Sequence, residues 1–268
     1  MIELQRGSVR VLVDDEYGAR VASLRVAGGE RLLTREHSPD PVLGWGSYPM
    51  VPWAGRVRSG RFVHDGHRHQ LPLRLPPHAL HGTVLDRPWV VDDAQPDRVE
   101  MHIDLGPHWP WPGIVRQTVE LDVDGESGAL RCRLEVSTDS TPNAGATGFP
   151  AQVGWHPWFA DGDRAPRLDF AAQAMYRRDR SGIPTGDTVF PGPHPWDDCF
   201  VGVIDPPMLT YSDGLRINVW SDCDHWVIYE PGHALCVEPQ SGPPDGFTIA
   251  PHVVRSGEPL SRSMVITW

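Results

Sequence analysis

The segment VELDVDGESGALRCRLEV, residues 119–136, carries the clearest structural signal in this chain. Apolar and polar residues alternate on both sides of a turn-forming stretch at residues 124–128. Because successive side chains of a strand point to opposite faces, this period of two places the apolar residues of each arm on one face. The segment therefore predicts a long β-hairpin with one buried face, whose apolar positions are Val119, Leu121, Val123, Leu130, Cys132, Leu134 and Val136.

Shorter runs of the same period occur along the whole chain, at residues 8–13, 20–26, 98–105, 215–220, 226–229 and 264–268. Proline (28) and glycine (27) both exceed average usage and cluster between these runs, where turns are needed. No segment has the periodicity of an amphipathic helix of three or more turns. Many strands without β-α-β alternation predict an all-β protein, a large antiparallel β-sandwich. Since no low-complexity tract marks a boundary, residues 1–268 are predicted to form a single domain.

Charge and composition exclude several functions. A formal charge of -11 and a pI near 5.5 argue against a nucleic-acid partner or an anionic membrane surface, which would require a basic patch. All 24 basic residues are arginine, so the chain contains no lysine. Schiff-base catalysis through lysine, lysine-bound pyridoxal phosphate and the P-loop lysine are therefore excluded.

Cysteine usage and hydropathy indicate the compartment. Cysteines 132, 199, 223 and 236 form no CxxC pair, so no zinc ribbon or dithiol redox motif is predicted. The first residues lack an apolar core of signal-peptide length, and eighteen apolar residues never occur together. We therefore expect a cytoplasmic protein with reduced thiols.

A carboxylate and a histidine are the first candidates for chemistry. Glu238 ends the apolar run 234–237 and opens a loop rich in glycine and proline, where a strand can deliver a side chain to a site. His156 lies in the aromatic stretch GWHPWF, residues 154–159. A histidine and a carboxylate are the minimum set for paired proton transfer. The 11 tryptophans add flat aromatic surface, which stacks well against the C–H faces of sugar rings.

Five short motifs have one common explanation. They are YPMVPWAGRV at residues 48–57, ALHGT at 79–83, GWHPWF at 154–159, WDDCF at 196–200 and CVEPQSGPPDGF at 236–247. In order and approximate spacing they resemble the aldose 1-epimerase (galactose mutarotase-like) family, over nearly the whole chain. The resemblance implies a large antiparallel β-sandwich, a small-molecule sugar substrate and cofactor-independent chemistry without a metal. It leaves the oligomeric state open.

The resemblance also implies roles for individual residues. Glu238 matches the position of the family's general base and His156 that of its general acid. Arg56, His81 and Asp197 match substrate-binding positions, with Asp198 as the alternative to Asp197. His78 lies three positions before His81 and is the alternative to it.

Two departures from the family pattern concern sugar preference. Gly55 replaces an asparagine that commonly precedes the arginine, and Trp158 replaces the usual tyrosine. The implied reaction interconverts the α and β anomers of a free aldohexose. It needs one base at the C1 hydroxyl and one acid at the ring oxygen, whose unperturbed pKa values of about 4.3 and 6.5 predict the two limits of the pH profile. A neighbouring carboxylate is expected to raise the pKa of the histidine.

Three other readings compete. The segment HDGHRH, residues 64–69, invites a metal site but also reads as a two-residue hairpin turn. A hexose-6-phosphate 1-epimerase would use the same proton chemistry with extra arginines, for which Arg58, Arg61, Arg74 and Arg87 are candidates. A non-catalytic carbohydrate-binding β-sandwich would need no acid and no base.

Overall fold

The computed structural model describes residues 1–138 and 148–268, and strands dominate both segments. The first segment contains β1 Ile2–Arg6, β2 Val9–Asp14, β3 Arg20–Val26, β4 Gly29–Glu30, β5 Ser47–Met50, β6 Arg56–Val57, β7 Arg61–His64, β8 His67–Gln70, β9 Ala79–Leu80, β10 Val90–Gln95, β11 Arg98–Asp104, β12 Ile114–Asp124 and β13 Ser127–Ser137. The second contains β14 Phe149–Pro150, β15 Gly154–Phe159, β16 Arg167–Arg178, β17 Pro184–Val189, β18 Asp197–Thr210, β19 Arg216–Ser221, β20 His225–Tyr229, β21 Leu235–Gln240, β22 Val253–Val254 and β23 Leu260–Thr267.

Helical structure in these residues is confined to short turns. The α-helix α1 spans Gly246–Ile249, and two 3-10 turns lie at Arg35–His37 and Arg58–Gly60. None of these helices has the length and apolar composition needed to cross a membrane. The predicted all-β class is confirmed.

The central hairpin forms as the alternation predicts. β12 and β13 pair over 11 residues each, and buried Val119 and Leu121 face buried Cys132 and Leu130. The turn is tighter than the predicted five residues, because Asp124 already pairs with Ser127. Gly125 has φ 63° and occupies the first central position, as a type II′ turn requires.

The main sheet is a continuous antiparallel ribbon. One half runs through β10, β11, β12, β13, β23, β19 and β18. The other half continues from β18 through β20, β21, β15, β5, β3, β2 and β1. The 14-residue β18 belongs to both halves, since its first residues pair with β20 and its last with β19. β16 and β17 extend beside β18.

The two halves of the ribbon face each other across the core. Gln117 on β12 donates to the carbonyl of Ala19 before β3 and accepts from the indole of Trp155 on β15. Apolar side chains from both halves join in one buried cluster. The predicted antiparallel sandwich is therefore confirmed, and the face of β15 opposite Trp155 is free to carry other side chains.

One buried arginine, at the start of β3, forms hydrogen bonds with the loops that contain residues 17, 42, 45 and 85. The guanidinium of Arg20 donates to the carbonyls of Tyr17, Val42, Trp45 and Leu85, and its side chain is fully buried. It also lies 4.0 Å from the ring centroid of Trp45 and 5.0 Å from that of Tyr48. Burial lowers the pKa of Arg20 to about 10, so the group stays charged at neutral pH.

Replacing this arginine should destabilise the fold. Arg20→Met keeps apolar bulk but leaves the buried carbonyls of Trp45 and Leu85 without donors, at about 1–3 kcal/mol each. We expect a loss of about 3 kcal/mol or more in the free energy of unfolding, measured by urea denaturation. Arg10→Met is the control, because Arg10 on β2 is 57% exposed. Equal stabilities of the two variants would contradict this role of Arg20.

Candidate active site

Strand register assembles a row of side chains across five strands. Tyr48 on β5 pairs with His156 on β15, and the ladder pairs on either side place His156 opposite Glu238 on β21. Glu238 pairs with Val227 on β20, which pairs with Cys199 on β18. Because paired residues of neighbouring strands share a face, these five side chains form one line along the sheet.

A second row lies two residues further along the same face. Trp158 on β15 pairs with Cys236 on β21, which pairs with Tyr229 on β20, which pairs with Asp197 on β18. Alternate residues of a strand point to the same face, so both rows face the same space. The tertiary pairing thus joins Glu238, His156 and Asp197, which are far apart in the sequence.

Loops border this face, and together they form a cavity of about 240 Å³ that opens to solvent on one side. All five predicted site residues line the cavity: Arg56, His81, His156, Asp197 and Glu238. Its volume lies below the range of about 300–1,000 Å³ that suits drug-sized ligands, so the cavity fits a small molecule. Gly182, from the loop between β16 and β17, and Pro184, the first residue of β17, line it as well.

The centre of the cavity is a buried acid–base pair. His156 Nε2 lies 3.1 Å from Glu238 Oε1, and the amide of Gln240 donates to Glu238 Oε2 at 3.1 Å. Their side chains are only 6% and 3% exposed. Burial lowers the pKa of His156 to about 3 and raises the pKa of Glu238 well above its usual range. Both shifts favour the uncharged forms, a neutral imidazole beside a protonated carboxyl that share one proton.

This result differs from the expectation that the carboxylate raises the pKa of the histidine. Removing both groups from water disfavours either charged form, and at this depth the loss of hydration outweighs the attraction between them. Desolvation thus favours the neutral imidazole beside the neutral carboxylic acid.

Aromatic rings fix the imidazole of His156. Its ring stacks on Tyr48 at 4.9 Å and on Trp158 at 5.1 Å between centroids, and His81 approaches edge-on at 5.0 Å. Tyr48 and Trp158 were not predicted as site residues. Both lie in the motifs at residues 48–57 and 154–159, but only the pairing of β5 with β15 places Tyr48 beside His156.

His81, and not His78, belongs to the cavity. His81 has φ 54°, a strained conformation for a non-glycine residue, and its Nδ1 accepts a hydrogen bond from the amide of Gly55 at 3.3 Å. That bond leaves Nε2 as the protonated nitrogen of the neutral ring. Burial and the nearby His156 lower the pKa of His81 well below its usual value. His78 instead accepts from the amide of Ser59 and does not line the cavity.

Charged groups on the cavity wall occur as pairs. Asp197 Oδ2 lies 3.9 Å from Arg56 Nη1 and 3.0 Å from Arg178 Nη1. Arg178 also contacts Asp198, with 2.8 Å between Nε and Oδ1. Arg178 was not predicted from the sequence, because only the pairing of β16 with β18 brings it to the two aspartates. Both Asp197 and its alternative Asp198 line the cavity.

The four arginines considered as phosphate ligands lie elsewhere. Arg74 forms a bidentate pair with Asp86, and Arg87 pairs with Asp104. Arg61 donates to Gln70, and Arg58 contacts Asp179 at 2.6 Å. None of the four lines the cavity.

The contact between Arg58 and Asp179 holds the loop over the cavity. Asp179 Oδ1 also accepts from the amides of Ser181 and Ile183, which fold the loop into a compact turn. Gly182 in this loop and Pro184 at the start of β17, which both line the cavity, flank Ile183 in the sequence.

The departures at Gly55 and Trp158 have local explanations. Gly55 has φ 66°, and a Cβ there would lie 2.8 Å from the Cβ of Pro244. Trp158 lies nearly parallel to the imidazole of His156, at an interplanar angle of 11°. A side chain is therefore excluded at residue 55, and the larger indole covers one face of the histidine.

The histidines of residues 64–69 do not form a metal cluster in the described chain. β7 and β8 form the predicted hairpin, with Asp65 and Gly66 both at positive φ as a type I′ turn requires. His69 stacks on Phe62 at 5.0 Å and lies 4.6 Å from Trp111. Among the residues described, the group of three potential metal ligands is instead His156, Cys236 and Glu238.

Comparisons with known proteins identify the family and the fold of the chain. A family model described as aldose 1-epimerase matches residues 1–199. The uncharacterized protein YihR of Escherichia coli (strain K12) is 24% identical over 143 residues, which cover 53% of this chain and 44% of YihR. The chain thus matches less than half of that relative's length.

Solved structures share the fold over nearly the full chain. A galactose mutarotase-like protein from Clostridium acetobutylicum has a TM-score of 0.80 at 15% identity, covering 98% of this chain and 93% of that one. The GalM/aldose epimerase homologue from C. elegans has a TM-score of 0.80 at 15% identity, covering 99% and 97%. A galactose 1-epimerase from Lactobacillus acidophilus has a TM-score of 0.79 at 18% identity, covering 98% and 92%. At these identities the likeness establishes a common fold.

Proposed function

Because this chain belongs to the aldose 1-epimerase family, we propose that it interconverts the α and β anomers of a free aldohexose by opening and closing the sugar ring. The observation that carries this proposal is the buried pair of His156 and Glu238, 3.1 Å apart in the wall of a small cavity. We further propose that residues 1–268 act as one domain. Strands after residue 199 support this, since β20 and β21 supply Tyr229 and Glu238.

In the proposed reaction the pair exchanges its single proton with the sugar. Moving that proton from Glu238 to His156 gives a carboxylate base and an imidazolium acid. Glu238 then takes the proton of the C1 hydroxyl while His156 protonates the ring oxygen, so the C1–O5 bond breaks and an aldehyde forms. Rotation about C1–C2 and the reverse transfer close the ring with O1 on the other side.

The electrostatics of the cavity suit this cycle. Ring opening returns the pair to the neutral carboxylic acid and neutral imidazole, which burial favours. The pair and the sugar together keep the same charge in every state, so no net charge is created in the buried site. His81, with its Nε2–H free to donate, can hold a sugar hydroxyl or ring oxygen in place.

The charged residues of the cavity wall favour a free sugar as the substrate and disfavour a phosphorylated one. Arg56 and Arg178 are balanced by Asp197 and Asp198, so the wall carries no surplus positive charge for a phosphate. Paired groups of both signs supply donors and acceptors for hydroxyls instead. The carbohydrate-binding alternative is disfavoured by the buried pair, because burying an acid and a base is costly and contributes nothing that binding alone requires.

The direct test is polarimetry. Freshly dissolved α-glucose or α-galactose should reach anomeric equilibrium faster with the enzyme than in buffer, before and after dialysis against chelator. The corresponding 6-phosphates should react more slowly. A preference for the phosphates would support the hexose-6-phosphate alternative. Relaxation of all sugars at the buffer rate would overturn the proposal.

Replacing either member of the pair should abolish most turnover. Glu238→Gln keeps the shape but cannot accept a proton, and His156→Asn removes the acid, so kcat should fall by roughly 10²–10⁴-fold in each. Sugar binding, measured by calorimetry, should be nearly unchanged in Glu238→Gln. A near wild-type kcat in this variant would leave the carbohydrate-binding alternative.

The pH profile should be broad. Lowering of the histidine pKa to about 3 moves the acidic limit down, because the pair accepts a second proton only at low pH. Raising of the glutamic acid pKa moves the basic limit up, because the pair loses its proton only well above the usual range. We expect kcat/KM to stay nearly constant from pH 6.5 down to about pH 4, because the acidic limit follows the histidine pKa of about 3. A narrow optimum between 4.5 and 6.5, the ordinary values of the two groups, would contradict the desolvated pair.

Arg56 and Asp197 are proposed to bind the sugar without transferring protons. Because a hydrogen bond to a charged group contributes about 1.5–3 kcal/mol, Arg56→Ala or Asp197→Ala should raise KM by roughly 10–100-fold with little change in kcat. Asp198→Ala is the matched control, since Asp198 shares Arg178 but is only 12% exposed. A larger KM defect in the control would assign sugar binding to Asp198 instead.

A further inference from the structure

Cys236 lies beside the acid–base pair but has no part in the proposed reaction. It is two residues before Glu238 on β21, so the two side chains share a face. One ligand atom from each of His156, Cys236 and Glu238 lies within 4.8 Å of the other two, and all three residues are buried. The strand register holds this triad together, because His156 and Trp158 on β15 face Glu238 and Cys236.

The three side chains offer an imidazole nitrogen, a sulfur and a carboxylate oxygen. These are the donor types that Zn²⁺ prefers, and three protein ligands with one open position are typical of zinc sites that admit another molecule. His156 and Glu238 line the cavity, so the open position would face the space for the sugar. In addition, the buried Nδ1 of His156 has no hydrogen-bond partner among the described residues. Nε2 already lies 3.1 Å from Glu238, so it can bind a metal while the ring stays in its stack.

We propose that His156, Cys236 and Glu238 form an inhibitory site for Zn²⁺, which binds in the empty enzyme and blocks the acid–base pair. The inhibitory effect rests on the proposed function, whereas the metal binding does not. Zn²⁺ bonds of about 2.3 Å to sulfur and about 2.0–2.2 Å to nitrogen and oxygen place tetrahedral ligand atoms roughly 3.5 Å apart. Separations that now reach 4.8 Å have to shorten by up to about 1.3 Å, and the 3.1 Å contact between His156 and Glu238 has to lengthen slightly. Small rotations of the Cys236 and Glu238 side chains can supply these changes.

Zn²⁺ in this position excludes the reaction for two reasons. The metal occupies the lone pairs of Glu238 and His156 that the proton transfers need. It also occupies the place of the C1 hydroxyl and ring oxygen, so metal and sugar should compete.

Cys199 provides a matched control for Cys236. It is also buried and lines the cavity, but it lies on β18, separated from Glu238 by Val227 on β20. It is not a member of the triad. Cys199→Ser and Cys236→Ser therefore make the same chemical change on the same face of the sheet, at positions that differ in their distance from the pair.

The inhibition test measures epimerase rates with added Zn²⁺ alone, each variant relative to its own rate without metal. Wild type and Cys199→Ser should be inhibited at similar concentrations, competitively with sugar. Cys236→Ser should need at least about tenfold more Zn²⁺, because loss of a direct ligand should exceed the roughly 10–100-fold effect of losing an outer partner. Inhibition of Cys236→Ser at the wild-type concentration would overturn the proposal.

A spectroscopic test does not depend on the reaction. Co²⁺ added to the wild type and to Cys199→Ser should produce a thiolate-to-cobalt absorption band that saturates at one metal per chain. The band should be missing in Cys236→Ser, whose folding is checked by thermal denaturation, with Cys236→Ala as a second variant. Absence of the band in the wild type, or its loss in Cys199→Ser, would refute the metal site. A band in a protein that lacks epimerase activity would support the site and reject only the proposed function.

Discussion

The register of β15 between β5 and β21 is the constraint on which the site depends. Tyr48, His156 and Glu238 face one another only because these strands pair as they do. A shift of one residue would turn every side chain of β15 to the other face. It would place His156 in the core and expose Trp155, whose indole now contacts Gln117 of the opposite layer. The core contacts of one face thus fix the chemical groups on the other.

Burial provides the second half of the explanation. In water each of the two groups would ionise at its ordinary pKa. Here burial lowers the pKa of the histidine and raises that of the glutamic acid, so both neutral forms are favoured. Stacked rings on two sides keep the imidazole in place, and the amide of Gln240 keeps the carboxyl in place. In our proposal the same burial makes the enzyme sensitive to inhibition by Zn²⁺, because the buried sulfur of Cys236 completes a set of zinc ligands. Proton transfer and metal binding would then use the same lone pairs.

The loops around the sheet determine the chemical character of the cavity. Arg20 fixes the loops that carry Val42, Trp45 and Leu85 by donating to their carbonyls. Arg58 holds the loop after β16 through Asp179. Arg56 and Arg178 are paired with Asp197 and Asp198, and Asp40 adds a further carboxylate, so the cavity presents hydrogen-bonding groups without an excess of positive charge. This is the environment that a neutral, hydroxyl-rich molecule requires.

Local sequence determined the parts of this protein that depend on neighbouring residues. The alternation in residues 119–136 predicted β12 and β13, and the Asp65-Gly66 pair predicted the turn between β7 and β8. The absence of lysine excluded lysine-dependent chemistry, and five short motifs indicated the residues that line the cavity. β16 was not predicted, because its residues are partly exposed on both faces and show no clear alternation. Only the tertiary structure brought Arg178 to Asp197, stacked Tyr48 on His156 and placed Cys236 beside the pair. These contacts join strands that are distant in the chain. Packing sets the register of those strands, and it also sets the depth of burial that shifts the pKa values. No local pattern encodes either of them.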